Sequence, residues 1–251
     1  MNGFGDPAFF DRYAHEYDDR QPEHILDPGA AVEFLARLVP DGGRALELAV
    51  GTVRMALPLA GHGITVVGID GSAAMVERMR AKPGGSSIAV VIGDMADVEV
   101  DGPFQLAYLV YNTLFNLTSQ ARQVDCFRNV AKVLAPGGHF VIETFIQDVT
   151  EFDRGQRVAT RALTEDSVGM EFLLHDPVEQ VVTYQRVTFD PQGTTLRPLR
   201  LRYCWPSELD LMAQLAGMRL RERYADWDRS PFTGASRRHV SVYERVDRVK
   251  L

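Results

Sequence analysis

Three acidic residues and one glycine loop carry the chemistry that is most legible in the sequence. Asp70 closes the β-branched run "ITVVGID" (64–70) and follows the loop in "ELAVGT" (47–52). About twenty residues beyond a strand–loop–helix junction, a carboxylate is placed to accept both hydroxyls of a ribose. Asp94 ends the next such run, in "GDM" (93–95). Its oxygen, beside the backbone N–H of Met95, matches the donor and acceptor edge of an adenine. Glu47 precedes the loop, and Gly51 is the glycine in it, flanked at alternate positions by Ala49 and Val53.

That composition discriminates between cofactors. A pyrophosphate needs close backbone approach at an open helix N-terminus, for which three glycines are useful. S-adenosylmethionine has no phosphate, so the loop disfavours NAD(P) more than it disfavours that cofactor. Val53 is expected in the first helical turn, facing the core. On that placement Val53→Gly lowers stability by about 1–2 kcal/mol.

Candidates for work on an acceptor are fewer. Asn112 and Asn116, in "YNTLFNL" (111–117), fall just past a strand end, where ligands bind in α/β sheets. His175 and His239 are candidate bases, as are His15 and the phenols of Tyr13 and Tyr111. Phe115, Phe145, Tyr203 and Trp205 predict a mostly apolar pocket for a small molecule.

The elements that position these residues alternate. "RALELAV" (44–50), 64–70, "SIAVVIGD" (87–94), "FQLAYLVYN" (104–112) and "HFVIETFI" (139–146) read as strands covered on both faces. Between them, "SAAMVERMRAK" (72–82) is a helix capped by Ser72. A second helix over 119–138 stops at Pro136-Gly137-Gly138. Short links between alternating strands and helices predict a doubly wound parallel α/β sheet of seven strands. After Ile146 the texture changes to consecutive strands broken at Asp176-Pro177 and Asp190-Pro191, an antiparallel β-meander inserted into the same domain. Residues 206–218 form a last helix, and two terminal strands follow. The expected organisation is a single domain over 1–251, with a cofactor-binding core at 28–146, a β-insert at 150–205 over the acceptor, and the last helix and strand pair at 206–251.

Bulk properties narrow the partners. A net charge of −7 argues against a nucleic-acid backbone. No apolar run is long enough to span a bilayer, and residues 1–20 lack a signal-peptide core. Two cysteines, Cys126 and Cys204, point to neither a disulfide framework nor a metal cluster. A cytoplasmic monomer or homodimer without metal is expected.

Taken in order, "ELAVGT", "VVGIDGSAAM" (66–75), "GDM", "YLVYNTLFNL" (108–117) and "LAPGGHFVIE" (134–143) resemble the core of class I S-adenosylmethionine-dependent methyltransferases. The rest is similar to actinobacterial small-molecule methyltransferases with a β-insert, such as those that N-methylate amino sugars. The resemblance implies Glu47, Ala49 and Gly51 along the methionine arm and Asp70 on the ribose. It puts Gly71 and Met75 beside the adenosine, and Asp94 and Met95 on the adenine. Tyr111 and Asn112 would lie under the sulfonium, with Tyr13 or Tyr17, from an N-terminal helix, closing over the methionine end. It implies methyl transfer to a small molecule, in secondary metabolism. Left open are non-methylating use of the same cofactor and a nicotinamide-dependent oxidoreductase.

Overall fold

The computed structural model describes residues 8–18 and 28–246. Helix α1 (Ala8–Tyr13) leads into a 3-10 turn, Ala14–Glu16, and α2 (Gly29–Ala36) precedes the sheet. Strands β1 (Arg44–Leu48), β2 (Thr65–Asp70), β3 (Ala89–Ile92), β4 (Phe104–Leu109) and β5 (Leu134–Phe145) are parallel. They are linked by α3 (Ala56–Ala60), α4 (Ala73–Ala81) and α5 (Gln120–Val133). Then come β6 (Gln156–Leu163), β7 (Val168–Asp176), β8 (Val181–Asp190) and β9 (Gly193–Arg202), followed by α6 (Pro206–Leu215), β10 (Met218–Tyr224) and β11 (Arg238–Arg245). The main sheet has the order β10-β11-β5-β4-β1-β2-β3, with β11 antiparallel to both its neighbours. The chain therefore reverses its winding at β1 and β4, where open α/β sheets bind ligands.

The central strands alternate between two cores. Ala45, Leu106, Tyr108 and Val141 pack with α2 and α3, while Leu46, Ala107, Leu109 and Ile142 pack with α5 and α6. Burial on both faces is what their near-continuous apolar sequence predicts. Edge strand β3 departs from it, since Val91 and Ile92 are exposed. The helix caps follow the sequence: Ser72 Oγ accepts from Met75 N and Ser119 Oγ from Arg122 N. The second helix ends at Val133, earlier than the Pro-Gly-Gly stop. That tripeptide lies instead in the irregular start of β5, where the pairing with β4 slips.

The meander is a separate four-stranded antiparallel sheet, β6-β7-β8-β9. Asp176 and Asp190 make its two Asx turns, each carboxylate accepting two backbone N–H groups. Leu173, Val182 and Leu201 join the core shared with α5 and α6, so one face of this sheet roofs the carboxyl end of the main sheet. A polar latch anchors its far edge. Arg202 pairs with Glu208 at 2.8 Å and donates to Gln123, whose Nε2 donates back to the Arg202 carbonyl.

Candidate cofactor and acceptor site

The loop after β1 keeps its backbone path with one glycine in place of three. Ala49, Gly51 and Val53 have φ of 56°, 57° and 65°. All three alternate positions are left-handed, the region in which an L side chain is disfavoured by about 1–2 kcal/mol. Val53 is thus not in a helical turn, since α3 begins at Ala56. Its side chain is buried, as expected, in the cluster with Val50 and Met55. The expected cost of Val53→Gly is corrected accordingly: lost burial, about 1.5–3 kcal/mol, is largely offset by relief of the left-handed β-branched backbone. Ala49→Gly has less side chain to lose. It is expected to raise stability by about 0.5–1 kcal/mol, read as a higher urea midpoint with unchanged slope.

Asp70 organises the floor. One carboxylate oxygen accepts from Gly51 N at 2.7 Å and the other from Ser72 N at 2.8 Å, tying the ends of β1 and β2 together. Each oxygen retains a free acceptor direction. Burial raises its carboxyl above the ordinary range, opposed by those two N–H groups. Among the described residues, a Cβ on Gly51 would meet Met75 Cε at 3.6 Å and nothing else within 4 Å, so Met75 underlies an open cradle.

Glu47 lies deeper. Its register partner on β4 is Tyr108, whose hydroxyl donates to it at 2.9 Å. Burial pushes the Glu47 carboxyl up to about 8. Arg54, which the sequence reading passed over, stands with its guanidinium 5.0 Å from the Tyr111 ring centre and 5.8 Å from that of Tyr17. It acts electrostatically on Glu47 and on Tyr17. Arg54 directly follows a loop recognisable by its neighbours, which is the signal that could have found it.

Tyr111 and Asn112 sit just beyond β4, both left-handed, at φ 57° and 62°. Glu143 accepts from Tyr111 N at 2.9 Å, and Asn112 Oδ1 accepts from Phe145 N at 2.5 Å. The Asn112 side chain thus fastens the end of β5, in addition to any contact with a ligand. Asn116 closes the 3-10 turn Thr113–Asn116.

The N-terminal segment lies across the floor and reaches the roof. Asp11 accepts from Ser72 Oγ at 2.5 Å, and Asp18 pairs with Lys82 at 2.9 Å and accepts from Thr52 Oγ1. On the other side, Tyr13 donates to the Leu196 carbonyl and Glu16 pairs with Arg197 at 2.6 Å. Tyr17 follows the 3-10 turn rather than lying in a helix. Burial raises its phenol, and the carboxylates of Asp70 and Glu47 add to the shift.

The other expected residues lie at the rim, in the core and on the roof; the segment with Asp94 is tied to Asp70 through Gly93 N, which donates to the Asp70 carbonyl at 2.9 Å. Asp94 is exposed, accepts from Ala96 N and pairs with Arg122 at 3.0 Å. Gly71 is exposed beside it on the rim, and Met95 is partly buried against the core. His239 is fully buried, with Nε2 3.0 Å from Thr144 Oγ1 and Nδ1 2.8 Å from Ser241 Oγ. Burial lowers its pKa to about 4. Both its nitrogens are engaged inside the β5–β11 pair. His175 is on the roof, its Nε2 3.0 Å from the Tyr203 hydroxyl and its ring against Phe152. The aromatics form two edge contacts, Phe115–Phe145 and Tyr203–Trp205. Phe145 lines a cavity under the roof, but that cavity is walled largely by charged side chains and not by the apolar surface expected.

The site therefore offers a carboxylate for vicinal hydroxyls, a buried acid and a guanidinium side by side, and a roofed chamber at the strand ends. That donor set fits S-adenosylmethionine, whose ribose has two hydroxyls and whose methionine end carries both charges. Among the described residues no helix is long and apolar enough to cross a membrane.

Comparison with known proteins agrees. Residues 45–138 match a family model described as a methyltransferase domain. The chain is 28% identical to a cypemycin N-terminal methyltransferase from a Streptomyces species, over 96% of this chain and 99% of that one. It is 35% identical to the solved CcbJ methyltransferase from Streptomyces caelestis, with a TM-score of 0.87 over 96% of this chain and 98% of that one. An amino pentose methyltransferase from Micromonospora echinaspora, solved with S-adenosylmethionine bound, shares the fold at 19% identity and a TM-score of 0.69, over 94% and 97% of the two chains. With relatives matched from end to end and the strand order, loop and β2 carboxylate in place, the chain belongs to the class I S-adenosylmethionine-dependent methyltransferases.

Proposed function

We propose that the acceptor is a small molecule of secondary metabolism, held between the carboxyl end of the main sheet and the four-stranded roof. The observation that carries this reading is the roof itself, whose Leu173, Tyr184 and Arg186 cover a cavity that reaches Phe145, the residue whose N–H Asn112 accepts. Its volume of about 370 Å³ suits a small acceptor or the end of a peptide, and the relatives named above include one titled for a peptide terminus and one for an amino pentose.

In this reading Asp70 accepts from the ribose hydroxyls, with Gly71 and Met75 beside the adenosine and Asp94 and Met95 at the adenine. Glu47 and Arg54 meet the ammonium and carboxylate of the amino-acid arm along Ala49 and Gly51. Tyr111 lies near the reacting carbon, and Tyr13 and Tyr17 close the chamber. When bound, the cofactor supplies an electrophilic methyl group on a sulfonium. The protein contributes alignment and exclusion of water, which is where most of the acceleration of a displacement on an activated donor resides. Asn112 and Asn116 orient the acceptor by hydrogen bonds, and His175 stands at the roof as a group able to take its proton. The enzyme works in the cytoplasm as a monomer or homodimer, which light scattering of the purified chain checks.

Incubating the chain with S-adenosylmethionine and extracts of candidate amines and phenols is expected to yield a product heavier by one CH₂ unit, with one S-adenosylhomocysteine formed per product. Cofactor turnover without such a product would point to another use of the sulfonium.

A further inference from the structure

The chamber under the roof has an unbalanced set of charges. It is a cavity of about 370 Å³ whose walls include four arginines and three acids. Three pairs are matched: Arg157 with Glu151 at 2.7 Å, Arg237 with Asp148 at 3.1 Å, and Arg186 with Glu171 at 2.8 Å. Arg161 is the fourth. Its contact is with Glu171 at 4.0 Å, an acid already engaged by Arg186. Glu171 is buried while both arginine side chains are about half exposed, so two guanidiniums converge on one buried carboxylate from the open side of the chamber.

The register explains the convergence. Glu171, Arg186 and Arg197 are directly paired across β7, β8 and β9, so their side chains emerge on one face of the roof. Arg161 arrives from the bulge in β6 between Thr160 and Ala162. Bulges re-aim a side chain without ending the ladder. A second feature faces the same need. Gln147 lines the chamber and is nine-tenths buried, and among the described residues its Oε1 has no hydrogen-bond partner. A buried acceptor left unpaired is costly unless a ligand satisfies it. Apolar surface from Phe145, Leu173 and Tyr184 completes the walls.

We propose that the acceptor carries an oxyanion, a carboxylate or a phosphate ester, held by the guanidiniums of Arg161 and Arg186, together with an N–H or O–H that donates to Gln147. The proposal rests on the reading of the chain as a methyltransferase of small acceptors, and it names the class of acceptor. The surplus guanidinium sets the sign of the ligand, and the planar fork of arginine suits two oxygens at once. The chamber starts at Phe145, whose N–H is held by Asn112, so an anion anchored at the roof leaves the rest of the acceptor pointing towards the end of β4.

The test uses the full chain with benzoate and benzamide, probes of one shape and different charge, and measures S-adenosylhomocysteine binding on the same samples by calorimetry. Benzoate is expected to bind at least about tenfold more tightly than benzamide, the ratio that one charge-assisted hydrogen bond commands. Arg161→Gln, a change at an exposed side chain, should remove about that factor and leave S-adenosylhomocysteine affinity unaltered. Glu171→Gln should instead tighten benzoate, because a competing carboxylate is gone from between two guanidiniums. Inorganic phosphate should displace benzoate. Displacement at lower concentration than benzoate itself needs assigns a phosphate ester, and displacement at higher concentration a carboxylate. Equal binding of benzoate and benzamide, or benzoate binding indifferent to both substitutions, overturns the proposal. If S-adenosylhomocysteine binds while benzoate does not, the anionic acceptor fails and the methyltransferase reading stands. If wild-type chain binds no S-adenosylhomocysteine, it is the functional reading that fails.

Discussion

Asp70→Ala is expected to weaken S-adenosylhomocysteine binding by about 2–4 kcal/mol, roughly thirty- to a thousand-fold, because two charge-assisted hydrogen bonds to ribose hydroxyls are lost together. The structure adds a second effect. The same carboxylate holds Gly51 N and Ser72 N, so its removal also frees the loop from the end of β2. A drop of about 1–3 kcal/mol in unfolding free energy should accompany the loss of affinity. Asp70→Asn separates the two, since the amide keeps one acceptor oxygen and loses the charge. It should fall between wild type and alanine in both measurements. Calorimetry beside urea unfolding of the three chains gives both quantities. A folded alanine variant with unchanged affinity would show that the ribose is held elsewhere.

The second large effect is a dependence on pH set by Glu47. Its carboxyl is pushed up to about 8 in the folded chain by burial, against 4.5 for an unperturbed glutamate. Between those values the folded state keeps a proton that the unfolded state releases. The contribution of Glu47 to stability is therefore complete below pH 4.5 and diminishes as pH rises towards about 8. Its slope approaches 1.4 kcal/mol per pH unit in the middle of that window, roughly one proton's worth. Glu47→Gln, which still accepts from Tyr108, should remove that slope, so the variant gains on wild type as pH rises. Other groups titrate as well, notably His239 with the opposite sign, and the difference between the two chains isolates Glu47. Cofactor binding should show the converse. The cationic amine of the amino-acid arm favours the ionised carboxylate, so wild-type affinity for S-adenosylhomocysteine should increase towards pH 8 and that of the variant should not. Parallel pH profiles in the two chains would remove Glu47 from the binding site.

Much of the fold was legible because its signals are local. Ser72 and Ser119 cap the helices they precede, and the two Asx turns of the roof fall at Asp176 and Asp190 as their sequence demands. Strand ends blurred where tertiary contacts decide them. β4 stops at Leu109 because Tyr111 and Asn112 turn left-handed under Glu143 and the start of the next loop. The candidate site divides in the same way. Glu47, Gly51 and Asp70 declare themselves by spacing around one turn and are brought together. Tyr108 and Glu143 do not, because their relation to that turn comes from strand order and register. His239 misled because a histidine at a strand start looks the same whether it opens to a ligand or, as here, is sealed between Thr144 and Ser241. The charge of the cavity under the roof was hidden for a further reason. Arg161, Glu171 and Arg186 lie on three different strands and become neighbours only through antiparallel pairing with a bulge.

The segment from Asp11 to Asp18 touches Ser72, Thr52 and Lys82 on the floor and Leu196 and Arg197 on the roof. One short stretch of backbone is thereby common property of the two binding events. The ion pair with Arg197 and the hydrogen bonds from Ser72 and Thr52 thus tie roof and floor to the same few residues. Any coupling carried through this stretch is reciprocal by linkage: whatever factor the acceptor contributes to holding the cofactor, the cofactor returns to the acceptor. Methyl transfer discharges the sulfonium and adds bulk to the acceptor, so it alters both partners of that bargain at once.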